Sequence, residues 1–130
     1  MPDDIGLSDL QLAVLRALWK RKEATSAEVH AALADRGLAI TTISTILSRL
    51  ESRGVVAHRS EGRLFIYRAA ISEPEVRRSM LGNLLNAVFA GDPTELVSQL
   101  LSARDVSRGD IDRMKALIES HQSRKGRSNG

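Results

Sequence analysis

Cysteine is absent from the 130 residues, which excludes disulfides, thiolate metal sites, cysteine nucleophiles and thiol-based redox sensing. Aromatic residues are scarce: one Trp, one Tyr and two Phe stand in a chain that is 42% hydrophobic. The core must therefore be built from Leu, Ile, Val and Ala, a composition that suits helices. No apolar run approaches the roughly 20 residues that cross a bilayer, and the opening MPDDIGLSD is acidic where a secretory signal is basic and then apolar. No membrane insertion and a cytoplasmic location are expected. There is no Gly-rich phosphate loop, no G-x-S-x-G elbow and no H-E-x-x-H pair, so no enzyme is expected. His30, His58 and His121 are far apart and show no ligand-like pairing with carboxylates, so surface or half-buried roles are expected of them, with no metal and no cofactor.

What is present is unevenly distributed. The formal net charge is only +3. Residues 1–35 carry more acidic than basic side chains, whereas residues 36–68 hold six arginines (Arg36, Arg49, Arg53, Arg59, Arg63 and Arg68) against Glu51 and Glu61. A local basic stripe is the electrostatic footprint of a phosphate-backbone binder.

Start and stop signals divide the chain into helices and one hairpin. Ser8, with Gln11 three residues on, predicts the capping box of a first helix carrying Leu12, Leu15, Leu18 and Trp19 and ending in Lys20-Arg21-Lys22. Thr25 or Ser26 caps a second helix that Gly37 ends, and Thr41 or Thr42 is expected to cap a third that Gly54 stops. VVAHRS and RLFIYRA around Glu61-Gly62 form a hairpin. Three helices and a two-stranded wing are the order of a winged helix-turn-helix, mainly α, expected over residues 1–70. Further helices follow from Ser72-Glu73-Pro74-Glu75, from about Thr94 and from Ser107, giving a helical region over 71–120 and an unstructured basic tail over 121–130.

The third helix carries the chemistry. In TTISTILSRLESRG, Ile43, Ile46, Leu47 and Leu50 share one face, leaving Thr42, Ser44, Thr45 and Ser48 to meet base edges. Short hydroxyl side chains allow close approach to a groove. Arg49 and Arg53 on this helix, with Arg59 and Arg63 on either side of the hairpin turn, are the candidates to hold phosphates. The aliphatic residues Met80, Leu81, Leu84, Leu85, Val88 and Phe89, continued by Leu96, Leu100, Leu101, Met114, Leu117 and Ile118, are expected to form a homodimer interface. Some 50 residues of helix beyond a complete winged domain have little of that domain left to cover, and two clasped tails set two reading heads against a dyad. Two alternatives remain open: a winged-helix regulator with a small effector, and a winged-helix protein-interaction scaffold without DNA.

The segments LSDLQLAVLRALWKRKEATSAEVHAAL, TTISTILSRLESRGVVAHRSEGRLFIYRA and SRGDIDRMKALIE resemble the penicillinase and methicillin-resistance repressor family of BlaI/MecI type, over about residues 7–120. The resemblance implies a homodimer of winged-helix domains joined through C-terminal helices. It binds a double-stranded operator and represses transcription until a membrane metalloprotease sensor leads to its cleavage. Recognition contacts would carry over to Thr41, Thr42, Ser44, Thr45 and Arg49. Relatives of the antibiotic-resistance type are cut between Asn and Phe, where this chain has Gln99-Leu100, a departure from the pattern. Copper-responsive members use paired cysteines that this chain lacks.

Overall fold

Ser8 does begin the first helix. Its hydroxyl accepts from the Gln11 amide at 3.1 Å while Gln11 Oε1 accepts from the Ser8 amide at 3.0 Å, and α1 (Asp9–Arg21) follows. A computed structural model of the protein describes residues 6–103 and 105–128, with side chains to residue 124. The chain divides into two compact units, one ending at Leu84 and the other beginning at Leu85.

In the first unit, Thr25 and Glu28 form a second capping box, which starts α2 (Ser26–Ala32). A single 3-10 turn, Ala34–Arg36, lies between α2 and Gly37. Helix α3 (Ile40–Ser52) starts earlier than the Thr41 or Thr42 cap that its sequence suggests. Ala39 is the capping residue, and no side chain caps the helix. Starting at Ile40 seats Ile43, Leu47 and Leu50, all fully buried, against the core. That packing outweighs the roughly 1 kcal/mol a hydroxyl cap contributes. Gly54, at φ +80°, ends the helix in a conformation that a side chain would strain.

The chain then forms β1 (Val56–Glu61) and β2 (Leu64–Ala69), antiparallel, with Glu61 opposite Leu64 and His58 opposite Tyr67. The turn is thus Gly62-Arg63, one residue later than Glu61-Gly62, and Gly62 supplies the positive φ that a two-residue hairpin needs at its first central position. Tyr67 and Ala24 exchange backbone hydrogen bonds of 2.8 and 3.0 Å, tying the wing to the α1–α2 connection. Val14, Leu15 and Leu18 of α1, Val29 of α2, the buried face of α3 and Val55, Val56 and Tyr67 make one core. Trp19 Nε1 donates to the Ile71 carbonyl at 2.9 Å, fixing the segment that enters α4 (Glu73–Phe89). The helices and the hairpin wing follow the winged helix-turn-helix order that the sequence predicts.

The second unit takes the end of α4, then α5 (Pro93–Ala103) and α6 (Arg108–Ser128). Asp92 Oδ1 accepts from the amides of Thr94 and Glu95 at the start of α5, and Ser107 with Asp110 makes a capping box for α6. Helix α6 continues to Ser128, where the sequence suggests a tail without structure from residue 121; Asn129 and Gly130 lie outside the described residues. Adding turns to an existing helix avoids the cost of nucleation, and Arg and Lys are favoured near its C-terminus. None of the described residues of α5 and α6 is buried.

Candidate nucleic-acid interface

The buried stripe of α3 determines what its other side presents. At about 100° per residue, Ser44 and Ser48 lie along one margin of the outer face and Arg49 and Thr42 along the other, with Thr41 and Thr45 between. Thr41, Thr42, Thr45, Ser48 and Arg49 are exposed, Ser44 is half-buried, and Arg53 is exposed just past the helix end. A groove of about 440 Å³ runs between the start of α1 and α3, lined by Ser8, Gln11, Thr41, Thr42, Thr45 and Arg49. A second, of about 300 Å³, brings Ser44 together with Thr25 and Ser26 of α2 and Arg63, Leu64 and Phe65 of the wing. Thr41, Thr42, Thr45 and Arg49 thus share the groove beside α1, Ser44 shares the other with Arg63, and Ser48 lines neither; Ser8, Gln11, Thr25 and Ser26 are additions to these two grooves. Only the proximity of helix N-termini to α3 reveals those four, and sequence spacing does not encode it.

The four candidate arginines are not equivalent. Among the described residues, Arg49, Arg53 and Arg63 make no ion pair with a carboxylate. Arg59 is held instead: Nε and Nη2 each donate to Glu23 at 3.1 Å, and Nη1 donates to Glu61 at 2.7 Å. These hydrogen bonds raise the Arg59 pKa, and the Glu23 carboxyl is lowered chiefly by its bond from Arg59. Arg59 meets two carboxylates, and Arg68 also acts on Glu23. Arg59, a candidate phosphate contact, thus also ties the wing to the α1–α2 connection.

A second tie joins the wing to α3. His58 Nδ1 lies 2.7 and 2.9 Å from the two oxygens of Glu51, and because a carboxylate only accepts, Nδ1 carries the proton. The His58 ring stacks on Phe65 at a centroid distance of 4.0 Å. His58 is half-buried, as expected, but it does pair with a carboxylate, seven residues away, across the α3–β1 turn. Sequence reading missed this pair because helix and strand had first to be folded back on each other. No cluster of three metal-ligating side chains occurs among the described residues.

A three-helix unit whose outer helix offers hydroxyls and unpaired arginines beside a two-stranded wing is a winged-helix DNA-binding module, and the class it defines here is the DNA-binding transcriptional repressors. The chain belongs to the penicillinase repressor family, whose profile matches residues 7–120. It is 29% identical over 120 residues to the penicillinase repressor of Bacillus licheniformis, covering 92% of this chain and 94% of that protein. It is 20% identical over 113 residues to the methicillin resistance regulatory protein MecI of Staphylococcus aureus (strain N315), covering 86% and 92%. Among solved structures it is similar to a cysteine-to-serine mutant of MarR from E. coli, with a TM-score of 0.51 at 14% identity over 89% of this chain and 78% of that one, a likeness of fold alone. The family is one of transcriptional repressors, not of enzymes. No helix among the described residues is long and apolar enough to cross a membrane.

Proposed function

We propose that the protein acts in the cytoplasm as a homodimer that recognises a dyad operator and blocks transcription. Helix α3 lies in the major groove, with Thr41, Thr42, Ser44, Thr45 and Ser48 toward base edges. Arg49, Arg53 and Arg63 hold phosphates, and Arg59 braces the wing. The observation that carries this reading is the outer face of α3, where exposed hydroxyls stand with Arg49, an arginine without a carboxylate partner, while Ser44 at its margin shares a groove with Arg63 of the wing. A solvated helix ordinarily carries opposite charges at i and i+4; this face has none.

The dimer rests on the aliphatic side chains of the second unit and of the end of the first. Leu81, Leu84, Val88, Val97, Leu100, Leu101, Leu117 and Ile118 are all exposed in the single chain, Leu117 at 66% and Val88 at 64%. Met80, Leu85, Phe89, Leu96 and Met114 are half-buried beside them in sequence. So many bare aliphatic groups on α4, α5 and α6 call for a covering partner, and a second copy supplies one by symmetry.

Fluorescence anisotropy with duplexes from the gene's own upstream region, run across a salt series, tests the DNA reading. Each phosphate that a variant no longer neutralises lowers the salt slope by about 0.9. Arg49→Ala and Arg63→Ala should each weaken binding to every duplex and flatten the slope; if neither changes affinity or slope, the assignment is wrong.

A further inference from the structure

One hydroxyl on the outer face of α3 differs from the others in one respect. Thr45 Oγ1 donates its proton to the Thr41 carbonyl, at 3.0 Å and four residues back. Among the described residues, the hydroxyls of Thr41, Thr42, Ser44 and Ser48 make no hydrogen bond within the chain. Each of these four can rotate to donate or accept. Thr45 cannot do so without giving up its bond to the backbone, and toward a ligand it offers lone pairs only. It also stands near the middle of the exposed face, with Arg49 one turn further along and Thr41 one turn before.

We propose that Thr45 is the base-selecting residue of α3, accepting from the exocyclic amino group of an adenine or a cytosine and discriminating against guanine and thymine. The inference rests on the operator-binding reading above. In the major groove guanine presents only the acceptors N7 and O6, and thymine the acceptor O4 with a methyl group, whereas adenine N6 and cytosine N4 are donors. An acceptor facing an acceptor leaves both unpaired in a desolvated contact, which is the costly arrangement. Its four neighbours on the face adapt to either kind of edge and so position more than they select.

The test is selection of the full-length protein on a duplex library, read as a base preference at each position of the enriched site. For the wild type, one position in each half-site should prefer adenine or cytosine by about five- to tenfold over the other two bases, the size of one hydrogen bond. Thr45→Val keeps the shape and the methyl group but removes the acceptor; it should flatten that position to within about twofold, leaving the other positions and the salt slope unchanged. Thr45→Ser retains the hydroxyl and its bond to Thr41 and should keep the preference. The melting temperature of each variant verifies that the fold persists, and Thr45→Ser carries the test if the valine variant does not fold. An enriched site whose profile survives Thr45→Val, a thymine or guanine at the affected position, or loss of the preference in a folded Thr45→Ser overturns the role of Thr45 alone. A library from which the wild type enriches nothing overturns the operator reading itself.

Discussion

Arg59 and Arg63 flank the same turn, and in sequence they are interchangeable. The fold separates them. Arg59 meets Glu23, 36 residues away, because the Ala24–Tyr67 bridge carries the α1–α2 connection to the wing, and no local pattern announces that meeting. Arg63 sits at the turn itself, on the groove shared with Ser44. The two should therefore separate in experiment. Arg63→Ala lowers the salt slope of operator binding by about 0.9 for each phosphate released, close to two for a homodimer. Arg59→Ala leaves the slope unchanged, and Glu23→Gln behaves like it. Titration of affinity against salt for the three variants decides the matter; equal slopes for Arg59→Ala and Arg63→Ala would return Arg59 to the phosphate.

At the scale of elements, four helix starts were legible because each writes its own capping pair: Ser8 with Gln11, Thr25 with Glu28, Ser72 with Glu75 and Ser107 with Asp110. The start of α3 was not, since tertiary packing set it and no hydroxyl marks it. Its inward face was nonetheless plain from spacing, because Ile43, Ile46, Leu47 and Leu50 leave no other way to bury the helix. Leu47→Ala should cost about 2–5 kcal/mol in urea unfolding, as expected where a fully buried leucine leaves a cavity. Helix α2 has only seven residues and depends on its cap. There the Glu28 carboxyl is lowered from its ordinary 4.5, first by the Thr25 amide that donates to it and then by the Thr25 hydroxyl. A depressed carboxyl contributes stability that is present above the unfolded value and is lost as the pH falls through the folded one. Glu28→Gln preserves the capping geometry without the titration. Thermal melts from pH 7 down to about pH 3 should thus show a smaller loss of Tm for Glu28→Gln than for the wild type; identical acid limbs would remove Glu28 from the pH dependence.

For the whole molecule, the aliphatic residues beyond the wing were readable as a set, but their partner was not, because one sequence does not say whether a stripe is covered from within or from outside. The single chain leaves Leu100 43% and Leu117 66% exposed, so arginine at either position costs less packing within the chain than it would at a buried leucine. If these side chains meet a second copy, Leu100→Arg together with Leu117→Arg buries two unpaired charges per chain in the interface and separates the subunits. Light scattering coupled to size exclusion should then report a dimer for the wild type and a monomer of about 14.2 kDa for the double variant. The winged unit, whose core shares no residue with these positions, should keep its secondary structure and its affinity for a half-site duplex. Affinity for the full dyad should fall by about 10²- to 10⁴-fold, the advantage of tethering two heads, and the salt slope should halve because a single head neutralises half as many phosphates. A wild-type protein that is monomeric at working concentration, or a double variant that stays dimeric, removes the helical tails from the assembly and leaves the winged unit to find its dyad by other means.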